Sequence, residues 1–177
     1  DVYKRQRWLF FESNAPMTAV YEGEEAPNGE SIAAAGYDAN NGVVYALENS
    51  GKLYRYSGIN PQSGKLTGRT QVATVAGADG INEMAFNNAD GQLYAISGAA
   101  NLMTVDVNTG AVTEIGQFGS GVVAMDFDSN GTLWIVDLYG ARCSVNLNTG
   151  SITQVAETGI SALAGQNFYN QLSLIHI

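Results

Sequence analysis

Histidine and cysteine are almost missing from this sequence, with one of each, His176 and Cys143, in 177 residues. A single cysteine excludes an internal disulfide and any multi-cysteine zinc site. Without a histidine near it in sequence, a Cys143 thiolate has no obvious base, so the residue reads as a small buried hydrophobe. Cations are scarce too: eight lysines and arginines face 17 aspartates and glutamates, a formal charge of −9. So acidic a surface cannot neutralise a phosphate backbone, which disfavours nucleic acid and anionic membranes as partners. No apolar run is long enough to cross a bilayer as a helix, so membrane insertion is not expected. Proline occurs only three times.

The two ends are unusual. DVYKRQ, residues 1–6, can be encoded by GATGTGTATAAGAGACAG, and the reverse complement of that oligonucleotide encodes LSLIHI, residues 172–177. The pair resembles the transposon end used to tag DNA fragments for sequencing. Both ends are therefore read as adapter sequence and set aside from fold reasoning. The expected natural segment is 7–171, a fragment that then holds no histidine.

Glycine is abundant, at 21 residues, and there are nine tyrosines. Together with alternating apolar positions this suits short strands joined by tight turns. Three stretches align, beginning GYDANNGVVYALENSG at Gly36, AFNNADGQLYAISGAA at Ala85 and DFDSNGTLWIVDLYGA at Asp126. Each runs from an aromatic or acidic strand through a turn closing on Gly, an apolar strand bearing Tyr or Trp, a small-residue loop, a further strand, a Gly-closed turn and a fourth strand. The period is about 40 residues, which matches the four-stranded blade of a propeller. The first copy is lengthened by an insertion after Ser57. The expected fold is all-β, an incomplete β-propeller of about three full four-stranded blades plus partial blades at both ends. The blades are placed at roughly 31–77, 81–117 and 122–157, with remnants at 7–28 and 162–171.

The turns carry a mechanism. Gly42, Gly91 and Gly131 end the first hairpin of each unit, and Gly110 and Gly150 end the Asn-Thr-Gly hairpin, where positive φ favours glycine. Gly64 is assigned the corresponding place in the first unit. Tyr45, Tyr94 and Trp134 recur at one position and are expected to stack between blades.

The phrases GQLYAIS, LMTVDVNTGAVTEIGQFGSG and GTLWIVD resemble the blades of bacterial secreted or surface β-propeller repeat proteins of unknown function. That resemblance covers most of 7–171 and implies an extracellular or cell-surface location. It specifies architecture and brings no catalytic set with it.

Candidate sites are few. Asp126, Asp128, Asn130 and Gly131 fit the start of a calcium loop, and Asp137 stands at the twelfth-position carboxylate. A plain hairpin explains the same residues, because Asn-Gly already closes the turn. The loops before each first strand and between the second and third strands are expected to share one face. There Asp79, Glu83, Phe118, Tyr139 and Glu157 are the members with most to offer a ligand, and the plain alternative is a solvated rim. No catalytic residue is assigned and no cofactor, calcium apart, is implied.

The preferred reading is a non-enzymatic module of a larger secreted or surface bacterial protein, binding or spacing a protein or glycan. The competing reading is a propeller enzyme acting on a glycan or lactone, with its active residues in other blades. An intracellular scaffold is kept because Cys143 is compatible with a reducing compartment.

Overall fold

The computed structural model describes residues 9–11, 19–22, 32–59, 66–78 and 80–157, with backbone alone at 9–11, 19–22, 59 and 157. His176, the remnant at 162–171, Gly64 and Asp79 lie outside the described residues.

Two short strands come first, β1 (Leu9–Phe11) and β2 (Ala19–Glu22), paired antiparallel. The first blade holds β3 (Ile32–Asp38), β4 (Val43–Glu48) and β5 (Lys52–Tyr56). A small hairpin, β6 (Gly58–Ile59) and β7 (Leu66–Thr67), interrupts it before β8 (Thr70–Thr74) completes it. This hairpin is the insertion expected after Ser57. The second blade is β9 (Ile81–Asn87), β10 (Gln92–Ser97), β11 (Asn101–Val105) and β12 (Val112–Gln117). The third is β13 (Val122–Phe127), β14 (Leu133–Asp137), β15 (Ala141–Val145) and β16 (Ile152–Glu157). Each blade is a four-stranded antiparallel meander in chain order.

The first strands are innermost. β9 packs against both β3 and β13. Burial falls outward across each sheet, from β3 and β9, which are largely buried, to β8 and β12, which are largely exposed. Successive sheets thus converge at one edge and splay at the other, the radial arrangement of propeller blades.

Strand alternation sorts side chains between two seams. In β10, Leu93 and Ala95 face the first blade, whereas Tyr94 and Ile96 face the third. Leu47, Leu53, Leu93, Ile96, Leu102, Leu133 and Ile135 are fully enclosed. Burying each such side chain contributes about 1.5–3 kcal/mol. Cys143 lies within the seam between the second and third blades.

Two of the three recurring aromatics span the seams, each against a phenylalanine of the next blade. Tyr45 stacks on Phe86 of the next blade's first strand, with centroids 5.7 Å apart and planes at 17°. Tyr94 meets Phe127 across the next seam in a tilted arrangement, at 5.0 Å and 56°. Trp134 instead lies under the Arg142 guanidinium, 4.7 Å from the ring centre, a cation–π arrangement.

Glycines do more than turn the chain. Gly110 and Gly150 have φ of 75° and 69°. A Cβ on Gly110 would also fall 2.3 Å from the Thr74 carbonyl oxygen, and one on Gly150 would fall 2.9 Å from the Cα of Gly116. The Asn-Thr-Gly turns of the second and third blades are therefore seated on the outer strand of the blade before each. In the first blade Gly68, at φ 67°, stands just before β8 as Gly110 and Gly150 stand just before β12 and β16, while Gly64 lies outside the described residues.

Candidate functional site

The loops expected to share a face do so, and backbone hydrogen bonds join them. Val75 N donates to the Gly51 carbonyl at 2.8 Å, Gly98 N to Gly80 at 2.5 Å, Phe118 N to Ala100 at 2.8 Å and Leu138 N to Gly121 at 3.0 Å. Each bond links a blade-to-blade connection with the loop between second and third strands.

The last residue of each second strand organises this face. Asp137 Oδ1 accepts from the backbone N–H groups of Tyr139 and Ala141, both at 2.9 Å, and Ser120 Oγ lies 3.4 Å from Oδ2. Ser97 Oγ accepts from Asn101 N at 3.3 Å. Glu48 is fully buried, takes a hydrogen bond from Ser50 Oγ at 3.3 Å and forms an ion pair with Arg69. The Arg69 guanidinium also covers the Tyr54 ring at 3.7 Å. Leaving either partner of such a buried pair alone exposes the other to an uncompensated desolvation penalty. Sequence reasoning missed the shared role of Glu48, Ser97 and Asp137, because three chemically different residues fill one position.

The loop-face candidates scatter. Tyr139 is 77% exposed and Leu138 beside it 48%, so the third blade presents an aromatic and an aliphatic side chain to solvent. Phe118 is buried in the seam between the second and third blades, not on the rim, because its backbone bond to Ala100 turns it inward. Glu83 lies within β9 rather than in a loop. It is mostly enclosed, and desolvation pushes its carboxyl up to about 8. The side chains of Asp79 and Glu157 lie outside the described residues.

The four calcium candidates do not converge. Asp128 begins the turn, its Oδ1 accepting from the N–H groups of Asn130 and Thr132, each at 2.9 Å, and its Oδ2 from Trp134 Nε1 at 3.0 Å. These bonds, the indole's first, hold its carboxyl below the ordinary aspartate range. Asp126 Oδ1 accepts from Phe127 N at 2.8 Å. Asp137 pairs in register with Val122, at the opposite end of the hairpin from Phe127 and Leu133. The sister turns repeat the arrangement without the full acidic set: Asp38 Oδ1 accepts from Asn41 N at 3.0 Å and Asn87 Oδ1 from Ala89 N at 3.0 Å. An Asx residue capping the first hairpin explains the motif in all three blades. Among the described residues no group of three or more His, Cys, Asp or Glu is placed to hold a metal ion. No helix among them is long and apolar enough to cross a membrane.

Several solved structures are similar to this chain. A protein of unknown function from Bacteroides thetaiotaomicron superposes with a TM-score of 0.56 at 15% identity, over 84% of this chain and 40% of its own. The nidogen/laminin complex gives 0.61 at 13% identity, over 86% of this chain and 58% of the other. Apo AztD from Citrobacter koseri gives 0.52 at 10% identity, over 88% and 40%. This chain thus spans about 40% to 58% of the length of those structures. No protein-family model and no curated protein sequence matches it. The likeness shows the fold, a β-propeller, of which the described residues supply three complete blades.

Proposed function

We propose that the chain is part of a non-enzymatic propeller module of a secreted or surface bacterial protein, and that its loop face binds a protein partner. One observation carries the reading. Among the described residues, two carboxylates on that face hold the scaffold together, Asp137 as a loop cap and Glu48 in an ion pair, while the large apolar side chains it offers to solvent are Tyr139 and Leu138. Tyrosine gives large contact area with few rotatable bonds and a polar tip, which suits recognition more than acid–base chemistry. One of the similar structures is of a nidogen/laminin complex, a precedent for this fold in a protein–protein complex.

The test is a paired screen of the chain against a protein array and a glycan array, with hydrolysis of glycosides and lactones assayed in parallel. Binding to a protein that falls about tenfold or more in Tyr139→Ala, as expected for an interface anchor, supports the proposal. Turnover of a glycoside or lactone, or glycan binding indifferent to Tyr139→Ala, overturns it.

A further inference from the structure

The second blade breaks the repeat at its innermost strand. Every first strand carries a bulge near its start, with Ala33, Asn82 or Val123 as the extra residue and Ala34, Glu83 or Ala124 following. Two blades place small or branched apolar side chains there, and Ala34 and Ala124 are buried. The middle blade places an amide and a carboxyl at those positions, which seam packing does not require. Departures from a local rule without a packing gain mark functional positions, and bulges are a recurrent means of re-aiming side chains at sites.

Among the described residues neither Asn82 Oδ1 nor the Glu83 carboxyl has a hydrogen-bond or charge partner. Asn82 Oδ1 is enclosed and accepts no hydrogen bond among the described residues. Buried oxygens are nearly always paired, so an orphan one calls for an explanation. Glu83 is mostly enclosed, and burial is the cause behind its raised pKa, with no counter-charge beside it. Of the described cations, Arg69 is paired with Glu48 and Arg142 covers the Trp134 ring.

We propose that Asn82 and Glu83 form a binding site, on the inner strand of the middle blade, for a primary ammonium group. Two adjacent acceptors need donors, and an ammonium supplies three N–H bonds together with the missing positive charge. Burial keeps the free Glu83 carboxyl protonated below about pH 8; an ammonium favours its ionised form, which a neutral hydroxyl does not. A divalent metal would find one carboxylate and one amide oxygen where calcium takes six to eight oxygens. The site is independent of the loop face, so either proposal can fail alone.

The test is an NMR titration of the chain, following the Asn82 side-chain amide and the Glu83 carboxyl carbon. Butylammonium chloride is the probe, with tetramethylammonium chloride and sodium chloride at matched concentration as controls. Saturable shifts with butylammonium alone are expected, weakened about tenfold or more in Glu83→Gln and also in Asn82→Ala, as for a charge-assisted contact. Backbone amide spectra check that both variants fold. A Glu83→Gln affinity equal to that of the parent chain, or the same non-saturating shifts with all three salts, would overturn the proposal.

Discussion

Gly150 and Gly42 both hold positive φ, 69° and 65°, yet their surroundings differ. A Cβ at Gly42 would meet nothing within 4 Å, whereas one at Gly150 would strike the Gly116 backbone at 2.9 Å. Gly42→Ala should therefore show conformational strain alone, about 1–2 kcal/mol. Gly150→Ala adds overpacking of about 1–3 kcal/mol. Urea unfolding of the two variants should separate them in that order, and equal losses would mean the Asn-Thr-Gly turn is not seated on the preceding blade. The positive φ was legible from Asn-Gly and Thr-Gly spacing. The inter-blade contact was not, because nothing in a turn motif says what lies across from it.

Glu83 sets a pH dependence at the same scale. Its carboxyl is raised from 4.5 to about 8 by burial. Between those values the folded state keeps a proton that the unfolded chain has lost. The associated stability is fully present below about pH 4.5 and is lost as pH rises through about 8. The melting midpoint should fall from pH 5 to pH 8, and Glu83→Gln should flatten that slope. Asp106 and Asp128 act oppositely, since turn hydrogen bonds depress both below the ordinary 3.8. Their contribution is present above that value and lost as acid carries pH through the depressed one. The sequence pointed to Glu83 as a rim residue because it lies near Gly80. The blade start expected at 81 already implied a strand through Glu83, and what the sequence could not show is how far the sheet encloses its carboxyl.

At the scale of elements, the Asx-capped hairpin is self-sufficient. Asp128 already accepts three hydrogen bonds from its own turn and strand. A chelator should leave the melting midpoint where it was, while Asp128→Ala should lower it. A midpoint that dropped with chelator would restore calcium, since a ligand bound only to the folded state must raise stability. The hairpins themselves were readable from alternation and turn glycines: the expected strand 122–127 is the one observed. The bulges were not. Six register shifts recur, one within each first-to-second pairing and one within each third-to-fourth pairing of the three blades. An extra residue in a strand leaves the period-two pattern looking merely imperfect, and only the partner's register reveals it.

At the scale of the molecule, each blade rests on its neighbours through one repeated recipe: an aromatic on the second strand against an aromatic on the next first strand, and a glycine turn against the previous outer strand. Stability is then carried by nearest-neighbour seams, as in other repeat architectures. The sequence made this radial order legible because a period of about 40 residues with four strands has few other solutions. It did not identify the aromatic partners, because Phe86 and Phe127 looked like ordinary strand residues.

The radial order is tested most directly by proton nuclear Overhauser contacts among the aromatic rings of the selectively labelled chain. The account predicts cross-peaks between Tyr45 and Phe86 and between Tyr94 and Phe127, the pairs with centroids at 5.7 Å and 5.0 Å. It predicts none between Tyr45 and Trp134, which belong to blades separated by a third. A Tyr45–Trp134 cross-peak, with the two predicted pairs silent, would contradict it.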